Sequence, residues 1–363
     1  MTVSDMRKRA PLLLLLVVAA VVLLVLRNKG SEGHGSGSGA AATSSSAKAT
    51  HAEKPAPAPS GSVLVLEAGA PSADNGKTVF SAKWGTGDDE LGHERPEEGA
   101  PLGPMSLGVD AKGRIVVLDT VNGRLVRRGK DGEPDSVVKI GLLDPQDMAL
   151  GADGTTAVLD RYADKKVAVY DDTGALVGDL PLVGEGISET GDVTGVFVDG
   201  TDVYAEREHG PLVKIGGTNG QPADPRTEIP GRPSRDGLSF LLAGIIDGPA
   251  GRVYVAAIDR ATETQRFTRE IRQPAFVHSI VLLDSDKSGT IYFATQVEQP
   301  DGSGAIFLSC LEPQHGVITG STVLPVNTLP EESFRDFAVL DGGGVVYALR
   351  TEQGVSYLHY DCE

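Results

Sequence analysis

The chain has 363 residues, more than one ordinary compact core requires, so it holds either two domains or an array of repeats. Hydrophobic residues make up 40% and charged residues 23%, with 46 glycines and 5% aromatics. This composition excludes a collagen-like or wholly disordered chain and indicates a globular, turn-rich one. The formal charge of −17 divides into +4 over residues 1–61 and −21 over the rest. Such an acidic globular part argues against a nucleic-acid partner.

The N-terminal residues predict a membrane anchor. Arg7, Lys8 and Arg9 precede an uncharged apolar run at 10–26, whose length reaches the lower limit for spanning a bilayer. Basic residues before the run favour an N-terminus in the cytoplasm. We therefore expect a transmembrane anchor at 1–27, single-pass in a bacterial-type inner membrane, with the C-terminal domain in the periplasm or outside the cell. The alternative is a signal peptide whose cleavage gives a secreted or periplasmic protein.

Residues 28–61 differ in composition from both neighbouring parts. They are rich in Gly, Ser, Ala and Pro, and they contain almost nothing that could form a core. Such a stretch is typical of a disordered linker that becomes stiffer where prolines alternate. The folded domain is therefore predicted at 62–363.

The folded part contains a repeated strand–turn–strand pattern. Residues 105–119 read MSLGVDAKGRIVVLD, and residues 146–160 read QDMALGADGTTAVLD. The two segments align with each other without a gap. Four looser copies follow, with a mean period of about 46 residues, which suits a four-stranded propeller blade. The sequence therefore predicts an all-β, six-bladed β-propeller. The turn glycines of the six units are Gly113, Gly154, Gly200, Gly251, Gly289 and Gly344.

The sixth unit lacks an outer strand of its own. Two strand-like segments, 345–349 and 355–360, follow its first turn before the last residues are reached. A propeller blade without its outer strand would leave a free sheet edge. Residues 77–84 have the pattern of a strand, and we expect them to close this blade.

Residues 84–132 resemble an NHL-type propeller repeat. The resemblance implies a six-bladed propeller closed by an N-terminal strand. The NHL family includes protein and RNA binders and a few lyases, so the resemblance does not fix an activity. One departure is Gly123, which stands where the family usually has His after Asn. The matching features are Gly85, Gly87, Gly92, Pro104, the turn at 110–113 and the run DTVNGRL at 119–125.

One segment of the fifth unit resembles the start of a calcium loop. Asp284, Asp286 and Ser288 alternate before Gly289, as oxygen ligands do in such loops. The later ligand positions carry no carboxylate, and an Asx-type hairpin turn is the alternative interpretation. The sequence suggests one cofactor, a calcium ion bound by Asp284, Asp286 and Ser288. A metal-assisted hydrolase or lyase would need distant histidines to converge on the central channel.

Arginines are concentrated in the segment 259–273. Arg266, Arg269 and Arg272 stand there within an otherwise acidic domain. We expect a hairpin or short helix projecting from blade 4 that binds a protein partner through these side chains. The alternative is a solvated outer strand whose arginines are balanced by neighbouring carboxylates.

Cys310 and Cys362 are the two cysteines of the chain. A location outside the cytoplasm would expose them to oxidising conditions, which favours a disulfide between them. Two unrelated buried thiols are the alternative, because sequence alone does not give the distance that the bond requires.

These observations predict a function of a general kind. We expect an extracytoplasmic, membrane-tethered propeller that serves the cell envelope as a non-enzymatic protein-binding or assembly module. Its expected contacts are protein partners in the envelope and the membrane itself, through the N-terminal helix. The alternative is a metal-assisted propeller hydrolase or lyase with its site at the central channel.

Overall fold

The computed structural model describes residues 63–65, 76–329 and 331–362, and they form a six-bladed β-propeller. This confirms the architecture that the repeats predict and that the NHL resemblance implies. The anchor predicted at 1–27 and the linker predicted at 28–61 lie outside the described residues. In the described ranges, no helix has the length and apolar character needed to cross a membrane.

Blades 1 to 3 are four-stranded antiparallel meanders, each with its first strand innermost. Three strands precede them: β1 (Val63–Val65), β2 (Lys77–Trp84) and β3 (Glu90–Leu91). Blade 1 contains β4 (Ser106–Val109), β5 (Ile115–Asp119), β6 (Arg124–Arg128) and β7 (Pro134–Lys139). Blade 2 contains β8 (Asp147–Leu150), β9 (Thr156–Asp160), β10 (Lys166–Tyr170) and β11 (Leu176–Pro181). Blade 3 contains β12 (Val193–Asp199), β13 (Asp202–Arg207), β14 (Leu212–Gly217) and β15 (Glu228–Ile229), preceded by a 3₁₀ turn at Thr190–Asp192.

Blade 4 differs from the sequence prediction by one strand. Its strands are β16 (Arg232–Pro233), β17 (Ser239–Asp247), β18 (Arg252–Asp259) and β19 (Gln265–Arg272), with β1 added in parallel outside β19. The turn between its first two strands therefore carries Gly237, whose φ is 74°, and not Gly251. Gly251 is a hairpin turn glycine as predicted, with a φ of 65°, but its turn joins the second and third strands, β17 and β18. The first strand escaped prediction because β16 has only two residues and gives no strand pattern. The other five turn glycines lie between the first and second strands, and all have positive φ.

Blades 5 and 6 complete the ring, and the N-terminal strand closes it. Blade 5 contains β20 (Phe276–Ser285), β21 (Ile291–Glu298), β22 (Gly304–Leu311) and β23 (Ile318–Leu324). Blade 6 contains β24 (Phe337–Val339), β25 (Val345–Thr351) and β26 (Gly354–Tyr360). Strand β2 pairs antiparallel with β26, and β3 extends the sheet beyond it. The predicted closure by residues 77–84 is confirmed.

The blades pack through apolar side chains at most of their junctions. Five apolar clusters fill the junctions of blades 1–2, 2–3, 4–5, 5–6 and 6–1. Between blades 3 and 4, Arg260 donates to Asp199 (Nη2 to Oδ2, 2.7 Å) and lies over the ring of Phe240. The ion pair therefore joins these two blades, and the cation–π contact within blade 4 holds the Arg260 guanidinium in place.

A disulfide between Cys310 and Cys362 connects blades 5 and 6, with a Cα–Cα distance of 6.0 Å. Cys310 lies on β22, and Cys362 follows β26. The predicted pairing is confirmed, and it fixes the residues after β26 to the neighbouring blade.

Candidate functional site

A cavity of about 1160 Å³ occupies the centre of the ring and is lined by residues of all six blades. Its two ends differ. At one end, here called the turn end, the first strand of each blade turns into the second. At the opposite, open end, His209, His278 and Glu332 line the cavity and are exposed. Sites of ligand recognition are commonly large concave spaces of this kind.

The short first strand of blade 4 widens the open half of the cavity. Strand β16 pairs with β17 only at Leu241 and Phe240. Beyond this point, β17 occupies the place of an innermost strand, and its residues 242–245 contribute an apolar wall to the cavity. Ile245 and Ile246 are 43% and 45% exposed. The widened half therefore has an accessible apolar surface.

Two arginines and one phenylalanine form a layer across the channel. The guanidinium carbons of Arg232 and Arg335 lie 5.0 Å and 4.4 Å from the ring centroid of Phe197. Arg335 donates from Nε and Nη2 to the two carboxylate oxygens of Asp147, each at 2.9 Å. Arg232 donates to both carboxylate oxygens of Glu206, at 2.7 Å and 3.0 Å. Bidentate pairs of this geometry hold the guanidinium planes in place.

The carboxylates of this layer are fully engaged. Asp147 also accepts hydrogen bonds from the Ser106 hydroxyl at 2.8 Å and from the Val196 amide at 2.9 Å. Burial opposes ionisation of Glu206, but Arg232 and His209 outweigh it and lower the Glu206 pKa to about 2. Burial also opposes the charge of Arg232, whose pKa is nevertheless raised by Glu206. At neutral pH this layer thus consists of paired ions, which suits binding and positioning.

Arg235 makes contacts across the turn end. Its Nη2 lies 2.6 Å from Oδ2 of Asp284 in blade 5, and its Nη1 donates to the Val339 carbonyl of blade 6 at 2.9 Å. Burial opposes the charge of Arg235, but Asp284 raises its pKa. Lys287 and Asp341 form a further pair of 2.6 Å between blades 5 and 6. These contacts bridge three blades, so the apolar wall is most accessible from the open end.

The predicted calcium ligands belong to two different arrangements. Asp284 pairs with Arg235. Asp286 accepts from the amide and hydroxyl of Ser288, at 2.8 Å and 2.7 Å, and from the Thr290 amide at 3.0 Å. This is the Asx-type turn that stood as the alternative. Within the described ranges, no group of three or more His, Cys, Asp or Glu side chains could hold a metal ion.

The described histidines each face a separate carboxylate. His93 lies 2.6 Å from Glu331, and His278 lies 3.2 Å from Glu298. The other three pair with Glu206, Glu312 and Asp361, through His209, His315 and His359 respectively. Each of these histidines therefore has its own acidic neighbour, and two of them, His209 and His278, line the cavity.

The three arginines predicted to bind a partner do not share one surface. They lie on β19, a regular strand within blade 4, so the predicted projection is wrong. Because side chains alternate along a strand, Arg269 points to the face opposite Arg266 and Arg272. Arg269 is only 5% exposed, and Arg266 is paired with Asp259 at 2.7 Å. Arg272 shares Glu270 with Arg252.

The arginine layer leaves little trace in the sequence. The available signal was a polar residue at the start of an apolar inner strand. Asp147 stands there in blade 2, and Asp336 immediately precedes the inner strand of blade 6. Both are bound by arginine, Asp147 by Arg335 and Asp336 by Arg350. The arginine partners themselves follow no repeat, so their positions required the structure.

Comparison with known proteins gives similarity of fold at low sequence identity. No model of a known protein family matches the chain, and no curated protein matches it. The structure of U3-55K has 12% identity and a TM-score of 0.43, covering 73% of this chain and 97% of that one. The structure of the RRP9 WD40 repeats has 11% identity and a TM-score of 0.43, covering 74% of this chain and 97% of that one. The structure of a catalytically inactive virginiamycin B lyase from Staphylococcus aureus, with quinupristin, has 12% identity and a TM-score of 0.40. The match covers 75% of this chain and 99% of that one.

Proposed function

We propose that the protein is a binding module of the cell envelope that captures a protein partner in the widened, open half of its channel. The observation that carries this proposal is the apolar wall of residues 242–245, which the short β16 leaves uncovered. Exposed apolar surface inside a concave site favours ligand binding over a purely structural role. The paired charges of the arginine layer support binding without chemistry, because each arginine already has its own carboxylate.

The cavity can be tested with one bulky substitution and a matched control. Ser279 lines the cavity on β20, whereas Ser321 lies on the outer strand β23 of the same blade. Both are partly exposed. We expect Ser279→Trp to abolish co-purification of envelope partners from detergent-solubilised membranes, and Ser321→Trp to leave it unchanged. Equal partner profiles for both variants, at equal melting temperature, would place the binding surface elsewhere.

The envelope location is part of the proposal and rests on the sequence of residues 1–27. Arginine and lysine before an apolar run favour export of everything that follows. Protease added to intact spheroplasts should therefore digest the propeller while a cytoplasmic marker survives. Protection of the propeller until the membrane is lysed would contradict this orientation. Mass measurement of the mature chain would distinguish the anchor from a cleaved signal peptide.

A further inference from the structure

The inner edge of β17 is a free sheet edge inside the cavity. Among the described residues, no strand pairs with 242–247 on the side away from β18. The Ser239 carbonyl accepts from Ser234 on that side, at 2.9 Å. Because backbone groups alternate along a strand, Ala243 and Ile245 direct their N–H and C=O groups to the same side. This edge is thus a row of hydrogen-bonding groups beside the cavity.

The edge carries few of the features that usually protect such strands. Natural edge strands carry lysine, proline or a β-bulge, or are very short, which prevents pairing with other chains. A bulge interrupts the pairing with β18 between Ile245 and Asp247, so the edge is regular from Leu242 to Ile245. Residues 242–247 read LAGIID and contain no lysine, arginine or proline. Ile245 and Ile246 are exposed on this strand, and Phe276 on the adjacent β20 is 40% exposed. The combination of an open backbone edge and exposed apolar side chains favours an added strand.

The surrounding charge selects the kind of strand that would fit. Asp247 is exposed at the end of the edge, and Glu298 and Glu332 are exposed near the cavity lining. The part of the chain after residue 61 carries 47 acidic and 26 basic side chains. Electrostatic complementarity therefore favours a basic ligand over an acidic one.

We propose that the edge of β17 from Leu242 to Ile245 binds an extended peptide of a partner protein, with alternating apolar and basic residues, as an added strand. The peptide completes the inner strand that β16 leaves unfinished. Backbone hydrogen bonds to Ala243 and Ile245 provide affinity, and the carboxylates near the opening provide preference for basic side chains. This inference deepens the proposed function, since it names the class of partner for the same cavity.

A labelled probe peptide tests the proposal on the full-length chain in detergent. The probe is an acetylated, fluorescein-labelled hexapeptide of alternating lysine and valine, and binding is measured by fluorescence anisotropy. Ile245→Pro removes an edge N–H while leaving the pairing with β18, as proline is tolerated at free edges. We expect saturable binding that Ile245→Pro weakens at least tenfold. Ile245→Thr keeps the N–H and should change the affinity less than threefold.

Two further peptides make the result independent of whether the proline variant folds. A lysine–valine peptide with N-methylated alternate amides cannot pair as a strand and should bind at least tenfold more weakly. A glutamate–valine peptide should also bind at least tenfold more weakly at low salt. Absence of saturable binding, or equal binding of the N-methylated peptide, would overturn strand addition. Partner capture that still depends on Ser279 would then leave the proposed binding function intact.

Discussion

Arg335 and Asp147 form a bidentate ion pair across the central channel although 188 residues separate them in sequence. Arg335 precedes the inner strand of blade 6, and Asp147 begins the inner strand of blade 2. The Asp147 side chain is 1% exposed. One side-chain contact therefore couples two blades that are not neighbours in the ring.

Removing this arginine should destabilise the whole propeller. Arg335→Ala leaves a buried carboxylate without its cation, a loss of about 3–5 kcal/mol in comparable buried pairs. Because Ser106 and Val196 still donate to Asp147, we expect the lower end of that range. Urea unfolding measures the effect, with Arg272→Ala as the control. The Arg272 side chain is 50% exposed and pairs with Glu270, which keeps Arg252 as a partner, so its loss should cost under about 1 kcal/mol.

The Glu206–Arg232 pair should make stability depend on acidic pH. The pKa of Glu206 is about 2 in the folded state against 4.5 for an unperturbed glutamate. A lowered folded-state pKa contributes stability that is complete above about pH 4.5 and is lost as the pH falls towards about 2. Its size is about 3 kcal/mol. Wild type and Glu206→Gln should therefore differ widely in unfolding free energy near neutral pH and converge in acid. A difference that stays constant with pH would contradict this account.

Closure of the ring should depend on β2 and not on β1. A chain that begins at Gly76 loses β1 and keeps β2, whereas one that begins at Gly85 loses both. We expect the first to melt cooperatively near the full-length temperature. The second exposes the unpaired edge of β26 and should aggregate or lose its cooperative transition. Scanning calorimetry with light scattering distinguishes them, and similar melting of both chains would remove the case for closure by β2.

The disulfide should stabilise the last blade. Bonds that close loops of this size contribute about 2–4 kcal/mol. Cys362→Ser should lower the unfolding free energy by that amount, and dithiothreitol should shift wild type to the same value. Dithiothreitol should have no effect on the variant. If reduction leaves the wild-type unfolding curve unchanged, the bond contributes nothing to stability.

The arginines of β19 should differ sharply in their effect on stability. Arg269 is buried, and its guanidinium carbon lies 5.6 Å from the ring centroid of Phe267. Arg269→Ala should therefore cost about 1–3 kcal/mol through lost packing. Arg272, whose side chain is 50% exposed, should tolerate alanine without a measurable change. A negligible effect of Arg269→Ala would contradict the packing role assigned to Arg269.

The sequence predicted the ring well because its information is local. A glycine of positive φ between two apolar segments marks each hairpin, as at Gly113 (φ 75°) and Gly154 (φ 89°). The first strand of blade 4 was missed because β16 is too short to show a period. The alternation of Phe267, Arg269 and Ile271 could have been read as a buried face, since all three are buried. The pairing of Arg335 with Asp147 leaves no such local trace.

The strand β1 also determines how the molecule responds to mechanical load. Its three residues pair in parallel with Glu270, Ile271 and Arg272 of β19 on the rim of blade 4, while β2 closes blade 6. A pull on the chain before Val63 acts first on this short parallel ladder. Only after it yields does tension reach the strand that holds the ring closed. We therefore expect β1 to detach from β19 before β2 detaches from β26 when force is applied at the N-terminal end, which keeps the ring closed.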